Sequence, residues 1–358
     1  MVVQYKCPNC GSDMEFDSNL GMLHCDSCGR NEPMKDYKNP ESGDKQNSSH
    51  SHTEDSFHSH TYDENQTAQY QCNNCGAVLI TDKDTVATTC SFCGAGVVLS
   101  DRLSGNMAPA KIIPFTISKQ QAQEAFKKWC KKGLLTPKGF MTADRIKNIT
   151  GLYVPFWLYD LNGEGEADAT CTRVMSYTKG DYIYTETSYY HVYRQVNLNY
   201  LKVPADASEK MNDELMDKLE PYHYSDLKNF NMAYLAGYLA EKYNYNDRDL
   251  FKRVEERVKG YVDSYLRSTI NGYTTTTFHH TNIRVREIKA DYVLLPVWLV
   301  CYDYKHSEHI FAMNGQTGKI VGKPPLSKGK MAAWFAGISA GAFTIIKIIA
   351  VLMGGPIL

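Results

Sequence analysis

The sequence predicts an α+β protein made of separate modules, and three observations lead to this prediction. Four Cys-x-x-Cys pairs lie within residues 7–93. Two later segments share the pattern Pro-x-Trp-Leu, each is followed by alternating, β-prone sequence, and helical sequence lies between them. Residues 331–358 carry a single charged side chain, Lys347. We therefore expect two small cysteine-rich modules, a central α+β domain and a C-terminal transmembrane helix.

The four Cys-x-x-Cys pairs form two repeats with the same spacing. In each repeat a glycine follows each pair, and 14 residues separate the inner cysteines. Two intervening residues let a tight turn aim both thiolates at one point, and the glycine permits a left-handed backbone there. We predict two zinc ribbons, over residues 1–37 and 68–100, each with a short hairpin between its pairs. The predicted zinc ligands are Cys7, Cys10, Cys25 and Cys28 in the first ribbon and Cys72, Cys75, Cys90 and Cys93 in the second.

Both zinc ions are expected to be structural. Four thiolates close the tetrahedron that zinc prefers, whereas a catalytic zinc needs an open position. Modules this small are expected to fold only with their metal. Redox-active pairs and incidental cysteines are the alternatives, and the repeated spacing argues against both.

Charge is distributed unevenly along the 358 residues, whose net formal charge is −1. Residues 1–100 hold 14 Asp and Glu against 6 Lys and Arg, a formal charge of −8, while the remainder holds 26 against 33, a charge of +7. Each zinc with four thiolates adds −2, which takes the ribbon region to about −12. Such a region repels phosphate, so we do not expect the ribbons to bind nucleic acid.

The remaining cysteines and the N-terminus indicate a cytosolic body. Eight of the eleven cysteines fall in metal-ligand pairs, so a secreted disulfide framework is not expected. The first residues lack the basic and apolar regions of a signal peptide. We interpret Cys130, Cys171 and Cys301 as reduced thiols.

Residues 38–67 are predicted to be a disordered linker, because they are rich in Asn, Ser, Asp and His and nearly free of apolar residues. Four histidines, His50, His52, His58 and His60, lie within this segment. They fit either an accessory metal tract or a solvated polar linker, and we favour the linker.

A central α+β domain is expected over residues 108–325. Ser118 and Gln121 form a capping-box pattern, and the apolar spacing that follows predicts a helix to about Lys132. The four lysines on its outer face fit a solvated surface better than an anion site. Further helices are predicted over 232–243 and 249–270.

Two related β-meanders are expected to flank these helices. Residues 152–160 and 293–301 open them, and we expect Pro155 and Pro296 at strand starts or edges. The tryptophans of both segments are interpreted as core residues. Between residues 313 and 320 the sequence partly matches a phosphate-binding loop, but Met313 and Ile320 replace the required glycine and Ser/Thr, so we predict a hairpin turn.

No catalytic or cofactor-binding constellation is present in the sequence, and we expect the protein not to be an enzyme. Patterns such as Gly-x-Ser-x-Gly, His-Glu-x-x-His and the dinucleotide fingerprint are missing. The pair His279-His280 lies in Thr-rich, strand-like sequence without an evident partner.

Residues 331–358 are predicted to be a single-pass C-terminal anchor. As a helix they would span about 42 Å, against a hydrocarbon core of about 30 Å. Lys347 opposes insertion by about 2.5–3.5 kcal/mol, which the apolar residues offset. Lys323, Lys328 and Lys330 precede the segment and predict a cytoplasmic body. A buried soluble helix and an interfacial helix are the alternatives.

The same segment offers a face for helix pairing. Gly337 and Gly341 form a Gly-x-x-x-Gly pattern, which lets two helices approach closely. The chain could therefore form a homo-oligomer through this face.

Taken together, these motifs resemble a family of bacterial membrane-associated proteins. The resemblance rests on the two four-cysteine ribbons, the Tyr-Val-Pro-Phe-Trp segment at 153–157, the turn at 314–319 and the apolar C-terminus. That family is described as having a transcription-factor-IIB-type zinc ribbon, and some relatives are labelled primosomal helicase-like. The resemblance implies flotillin-like or phage-shock-type membrane proteins as partners and a role in membrane stress. The helicase label has no support here, because a Walker lysine loop is missing.

Three functions follow as hypotheses. The favoured one is a non-enzymatic, membrane-anchored adaptor whose ribbons bind protein partners at the cytoplasmic face of the membrane. The alternative is a nucleic-acid-binding ribbon protein that assists transcription or replication. An enzyme that uses the Tyr-rich central domain is the third.

Overall fold

A computed structural model of the chain describes residues 2–34, 67–103, 108–132, 135–137, 149–304 and 307–352. Within these ranges the protein is a mixed α+β structure with four α-helices, two four-cysteine clusters near the N-terminus, a central sheet and a C-terminal apolar helix. The predicted fold class is confirmed. Most of the predicted linker 38–67, with its four histidines, lies outside the described residues.

In the first ribbon, Glu15–Asp17 and Met22–His24 form the predicted hairpin. The hairpin predicted in the second ribbon is wrong, because Val78–Asp82 and Thr85–Thr89 pair with other strands and not with each other. A three-stranded sheet β2-β3-β4 and a two-stranded sheet β5-β6 stand apart from the main sheet, which β1, β7 and β8 join. A 3₁₀ helix, Ser100–Leu103, follows the last strand. The strands are β1 Val2–Val3, β2 Glu15–Asp17, β3 Met22–His24, β4 Asn31–Glu32, β5 Thr67–Gln71, β6 Val78–Asp82, β7 Thr85–Thr89 and β8 Gly96–Leu99.

The rest of the chain builds one large sheet around three very long strands. Its strands are β9 Lys111–Ile112, β10 Thr150–Lys179, β11 Tyr182–Asp206, β12 Lys228–Asn229, β13 Leu239–Glu241, β14 Thr275–Tyr304, β15 Ser307–Asn314 and β16 Ile320–Gly322. The helices are α1 Lys119–Lys132, α2 Asp213–Lys218, α3 Asp247–Ser268 and α4 Lys328–Leu352, with short 3₁₀ helices at Tyr224–Asp226 and Met232–Leu235. The strand order is β1-β8-β7-β13-β10-β14-β15-β16, with β11 beside β10, and β9 beside both β14 and β12.

Two of the three predicted helices of the central domain are confirmed. The capping box at α1 is present, because the Ser118 amide donates to Gln121 and the Gln121 amide donates back to the Ser118 hydroxyl. Helix α3 begins with a second such box, formed by Asn246 and Asp249.

The predicted helix over 232–243 is wrong. A 3₁₀ turn, Met232–Leu235, occupies its first part, and Gly237 then adopts a left-handed backbone with φ of 85°. The chain continues as β13, which pairs with β10 on one side and β7 on the other. The apolar residues here are buried on all sides, so their spacing could not distinguish a helix from a buried strand, and sheet pairing decided the outcome.

The two Pro-Trp segments lie in the middle of the sheet and pair antiparallel with each other, with Pro155 opposite Leu294 and Pro296 opposite Tyr153. The expectation that these prolines occupy strand starts or edges is therefore wrong. On the other side of β10, β13 pairs before Pro155 and β11 pairs after it. Around Pro296, β9 and β15 border β14 in the same way. Each proline falls where one neighbouring strand gives way to the next, so its missing N–H breaks no ladder hydrogen bond.

The segment after β15 is the predicted hairpin turn. The Asn314 amide donates to the Lys319 carbonyl across 2.9 Å, and Gly318 has a positive φ of 75°. The Asn314 side chain is fully buried and accepts from the amides of Gln316 and Thr317. The turn is therefore fixed by hydrogen bonds to the Asn314 side chain.

Beyond Leu161 the strands β11, β10 and β14 continue as a three-stranded ribbon, which we call the arm. Helix α3 packs on one face of the arm through Val254, Val258, Val262 and Leu266, all fully buried. Because the helix lies so close, glycine occupies the facing positions of β10, Gly163 and Gly165.

Gly165→Ala is expected to destabilise the protein by about 1–3 kcal/mol through overpacking. A Cβ at this position would lie 2.9 Å from Val262 and 3.2 Å from Val196. The matched control is Gly260→Ala in α3, where the added methyl meets open space and removal of a helical glycine stabilises by about 0.5–1 kcal/mol. Chemical denaturation of both variants checks the prediction, which fails if the two shifts have the same sign.

A buried carboxyl at the base of the arm predicts a pH-dependent stability. Asp206 is 1% exposed and accepts from the Ser208 amide. Burial, reinforced by a hydrogen bond with Asp213, raises its pKa from 3.8 to about 7, while Arg253 opposes the shift. The stability contributed by the protonated form is complete below the unfolded-state pKa and is lost as the pH rises through the folded-state value.

We expect the free energy of unfolding to fall by on the order of 2 kcal/mol between pH 5 and pH 7 through this group. Asp206→Asn keeps the shape of the side chain and removes the titration. Denaturation curves at both pH values should therefore show a smaller change for the variant, and an equal change in both proteins would contradict the assignment.

Candidate metal centres and membrane helix

The eight predicted ligands converge in two clusters of four. In each cluster all four sulfur atoms lie within 4.8 Å of one another. In the first, Cys7 and Cys28 are separated by 3.5 Å between sulfurs, as are Cys10 and Cys25. In the second, Cys72–Cys93 and Cys75–Cys90 are separated by 3.8 and 3.7 Å.

These separations fit a tetrahedral metal ion. With metal–sulfur bonds of about 2.3 Å, the edge of a sulfur tetrahedron is about 3.8 Å. Each cluster has two buried and two exposed cysteines. Four thiolates complete the coordination, so either site could hold a structural metal and leaves no position for a substrate.

Backbone geometry explains why the sulfurs converge. Each Cys-x-x-Cys pair ends in a glycine with positive φ, namely Gly11, Gly29, Gly76 and Gly94, at 74–76°. In each pair the glycine amide donates to the carbonyl of the first cysteine across 2.8 Å. The following backbone amide then donates to the second sulfur, at Ser12, Arg30, Ala77 and Ala95 respectively. The glycines therefore serve the turn that the spacing predicted.

These donors favour thiolate at three of the four exposed ligands, Cys10, Cys28 and Cys93. At Cys75 the Ala77 amide lowers the pKa, but burial and hydrogen bonds with the other sulfurs outweigh it and raise the pKa to about 12. Hydrogen bonds from the Ser12 hydroxyl and amide lower the pKa of Cys10 to about 6. The amide of Ala95 and the side chain of Asn74 lower the pKa of Cys93 to about 6. Because thiolate is the form that binds metal, both shifts favour metal binding.

Three amide side chains near the sulfurs were not identified from the sequence. Asn9 and Asn74 occupy the same place in the two repeats, directly before the second cysteine of the first pair, and each donates to a sulfur of the opposite pair, Cys28 and Cys93. Gln4 donates to Cys72 across 3.7 Å, from one module to the other. The repeated Cys-x-Asn-Cys was visible in the sequence and is the signal for the first two.

The two cysteine modules pack against each other. Strand β1 of the first module pairs with β8 of the second. Lys6 donates to Asn74 across 2.9 Å, and Asn73 donates to the Val2 carbonyl across 3.1 Å. The described parts of the two modules therefore form one unit.

This unit is also joined to the central sheet. The Phe16 amide donates to the Ala236 carbonyl, and the Phe16 ring meets Tyr234 edge-on at 5.2 Å between centroids. Strand β7 pairs with β13. Cys7 and Cys25 belong to the same buried apolar cluster as Tyr238 and Trp298 of the body. The buried cysteines of the first candidate metal centre therefore form part of the core.

The surface beside the first centre is acidic. A shallow cleft is lined by Asp13, Glu15, Asp26 and His24, together with Cys10. Burial, and next the charge of Asp26, raises the pKa of Glu15. This surface agrees with the negative charge of residues 1–100 and does not favour a phosphate backbone.

The other residues considered from the sequence are not brought into a site. Across the described ranges, the two four-cysteine sets are the groups of three or more His, Cys, Asp or Glu side chains close enough to share a metal. His279 instead contacts the Thr170 hydroxyl at 2.8 Å. Cys130 and Cys171 are free thiols, as predicted, while the side chain of Cys301 lies outside the described residues. Trp298 is buried and donates to the Ile117 carbonyl, which confirms its role in the core.

Helix α4 is long and apolar enough to cross a membrane. The stretch Lys328–Ile349 has a mean hydropathy of 1.7, and none of it is buried against the rest of the protein. Large side chains such as Phe335 and Ile338 are exposed by 75% and 63%. The alternative of a buried soluble helix therefore does not describe these residues.

Comparison with known proteins identifies one close relative. No family model matches the chain, and no solved structure matches it. The chain is 58% identical over 355 residues to the uncharacterized protein YdjG of Bacillus subtilis (strain 168), with 99% of each chain covered. The four-cysteine clusters agree with the ribbon part of the family resemblance, whereas the transcription-factor-IIB-type label stays a prediction. At this identity and coverage, the chain belongs to the same family as YdjG.

Proposed function

We propose that the protein is a non-enzymatic adaptor, anchored in the cytoplasmic membrane by α4, whose zinc-loaded ribbons bind protein partners at the cytoplasmic face. The observation that supports this most directly is the combination of two closed four-cysteine sites with an apolar helix that the body leaves entirely uncovered. Closed thiolate sites stabilise a surface and offer no reactive position. Zinc is the ion that this proposal assigns to them.

The orientation of the body is part of the proposal. Lys323, Lys328 and Lys330 lie between the sheet and the apolar stretch, which favours a cytoplasmic body. Membrane proteins of the flotillin-like or phage-shock type are the partners that the family resemblance suggests. The face containing Gly337 and Gly341 has open space around both glycines, which suits close pairing of two anchors.

A partner needs an anchor residue on the ribbons, and Phe92 is the best placed. It lies between the last two cysteines, Cys90 and Cys93, and its side chain is 74% exposed. A rigid loop that presents one large aromatic ring is typical of a protein-binding hot spot. Ile80, on β6 of the same module and 53% exposed, provides the matched control.

The experiment is in-cell crosslinking of the tagged full-length chain, followed by purification from native membranes. We expect specific protein partners with wild type and with Ile80→Ser, and at least a tenfold loss with Phe92→Ser while both metals are retained. Recovery of nothing beyond the untagged control would contradict the adaptor proposal. Equal recovery with Phe92→Ser would place the partner on another surface.

Nucleic-acid binding is the second candidate, since ribbons of this type occur in transcription proteins. The acidic cleft beside Cys10 argues against it. Binding of DNA or RNA by the full-length protein below micromolar concentration, weakening with salt, would reverse this order.

A further inference from the structure

Outward from Thr275, where β14 begins, the strands β10 and β11 continue as a two-stranded hairpin. The last pair between β10 and β14 joins Thr172 to Thr275, and the hairpin extends from Arg173 to Ser188 around a turn at Gly180. A two-stranded hairpin without further packing is marginally stable in water. A hairpin that projects in this way therefore gains stability from any surface that covers it.

One face of this hairpin, continued by one pair at its base, carries exposed aromatic and methionine side chains together with Arg173, Lys179 and Glu186. Directly paired residues point to the same face, and every second pair does so again. The pairing therefore places five side chains on one face, each 38–72% exposed, and we call them the aromatic tip: Met175, Tyr177, Tyr182, Tyr184 and Tyr190. Tyr177 and Tyr184 stack with their ring planes 14° apart and their centroids 5.6 Å apart.

The composition of the aromatic tip is that of an interface centre. Tyr, Met and Arg are enriched at the centres of protein interfaces in general. Here Arg173 lies over the Tyr190 ring, 5.6 Å from its centroid. The charged residues of 173–190 are two of each sign, Arg173 and Lys179 against Asp181 and Glu186, so the net charge is zero. Arg173, Lys179 and Glu186 lie on the same face as the aromatic tip, so a second copy of this face can place charges of opposite sign against them.

The exposed area of the aromatic tip agrees with a second copy of the chain as its partner. A fully buried aromatic side chain covers about 150–250 Å². Multiplied by the exposed fractions of the five side chains, this gives roughly 500 Å² of exposed area per chain. Two copies would bury about 1,000 Å², the lower limit for a specific protein interface. A patch of about 500 Å² falls in the range of the largest apolar patch on a typical monomer, and patches of that size are often functional.

On the basis of the proposed membrane anchoring, the lipid bilayer that would hold α4 is a less suitable partner for the aromatic tip than a second copy of the chain. Strand β16, which precedes α4, ends at Gly322, and Gly322 pairs with Phe311. Phe311 in turn pairs with Val300, near the end of the long strands that is opposite to the aromatic tip. From Thr150 to Lys179 the strand β10 measures about 100 Å at 3.3 Å per residue. A tip with zero net charge is also not drawn to anionic lipid.

We propose that the aromatic tip is a homodimer contact, in which a second copy of this chain packs its own aromatic tip against this one. Two chains anchored in one membrane would hold their tips at the same height, so that identical surfaces meet. The contact is separate from the helix face containing Gly337 and Gly341 and from the ribbons.

The test measures the oligomeric state of the metal-loaded full-length protein in detergent, over a concentration series, by mass photometry. We expect a dimer for wild type and at least a tenfold weaker dimer for the triple variant Tyr177→Thr, Tyr182→Thr, Tyr184→Thr, which keeps a high strand propensity. The control, Ile288→Thr with Leu201→Thr, removes two side chains at the base of the arm that are 64% and 71% exposed, and is expected to dimerise normally. The variant Gly337→Leu, Gly341→Leu reports the anchor contribution separately.

A second measurement covers the case in which the triple variant does not fold. Benzoylphenylalanine in place of Tyr184, in otherwise wild-type protein in cells, should give a photoproduct of twice the 40.5 kDa chain mass. A monomeric wild type, a triple variant that dimerises like wild type, or a photoproduct with a different protein or lipid would each overturn the proposal. None of these results bears on partner capture by the ribbons, so the two proposals can fail independently.

Discussion

Cys25→Ser is expected to remove one of two bound metal ions and to lower the stability of the whole body. Cys25 is fully buried and packs in one apolar cluster with Phe16, Tyr234 and Trp298, so a metal held there would be part of the core. Structural zinc sites contribute about 10–16 kcal/mol of apparent binding free energy. This is comparable to the whole net stability of a typical domain, about 5–15 kcal/mol.

Metal content by mass spectrometry and thermal unfolding followed by tyrosine fluorescence check this prediction. We expect about one metal per chain and a fall of more than 10 °C in Tm, following the usual scaling of free energy to temperature. Cys130→Ser is the control, since Cys130 lies in α1 away from both centres and should keep two metals. Loss of one metal with an unchanged Tm would show that the first ribbon is not coupled to the core.

Deletion of residues 331–358 is expected to move the protein from the membrane to the soluble fraction. The deleted helix exposes Phe335, Ile338, Phe343 and Ile345 to solvent, each by 60% or more. On the insertion scale, the Phe, Ile, Leu and Val side chains of the segment contribute about −0.3 to −0.6 kcal/mol each, which together offset the cost of about 2.5–3.5 kcal/mol for placing Lys347 in the bilayer. The body should keep its fold, because none of the span is buried against it.

Carbonate extraction of membranes checks this second prediction, with the deletion compared to wild type and to Lys347→Leu. We expect wild type in the pellet, the deletion in the supernatant, and Lys347→Leu retained at least as firmly as wild type. A wild-type protein that is wholly soluble, or a deletion that stays in the pellet after carbonate, would contradict the anchor.

The metal centres could be predicted because their signal is local. A Cys-x-x-Cys-Gly pair specifies its own turn, and the structure places all eight predicted ligands in the two clusters. The helix from Lys119 and the helix from Asp247 were predictable for the same reason, since each begins with its own capping box. Periodicity and caps report structure that a segment determines alone.

The features that the sequence did not reveal depend on partners far along the chain. Strand β1 pairs with β8, and the Phe16 amide donates to the Ala236 carbonyl. No sequence motif links the residues of either contact. Leu239 and Ala240 form a strand because β10 and β7 lie on either side. Gly163 and Gly165 could be read as turn residues, and only the approach of Val262 shows their role.

The arm also has a mechanical consequence. Strands β10 and β14 run from its outer part into the body, with shifts in their pairing register at Asp160/Leu161 and Asp168/Ala169. In the body, β10 pairs with β13, and β13 pairs with β7 of the second ribbon. The arm extends about 60 Å beyond Leu161, and a hydrogen-bonded ladder resists bending within its plane. A load applied at its end would act on the body as a torque on a lever. The strand junctions around Pro155 and Pro296 lie at the fulcrum, where that torque would be greatest.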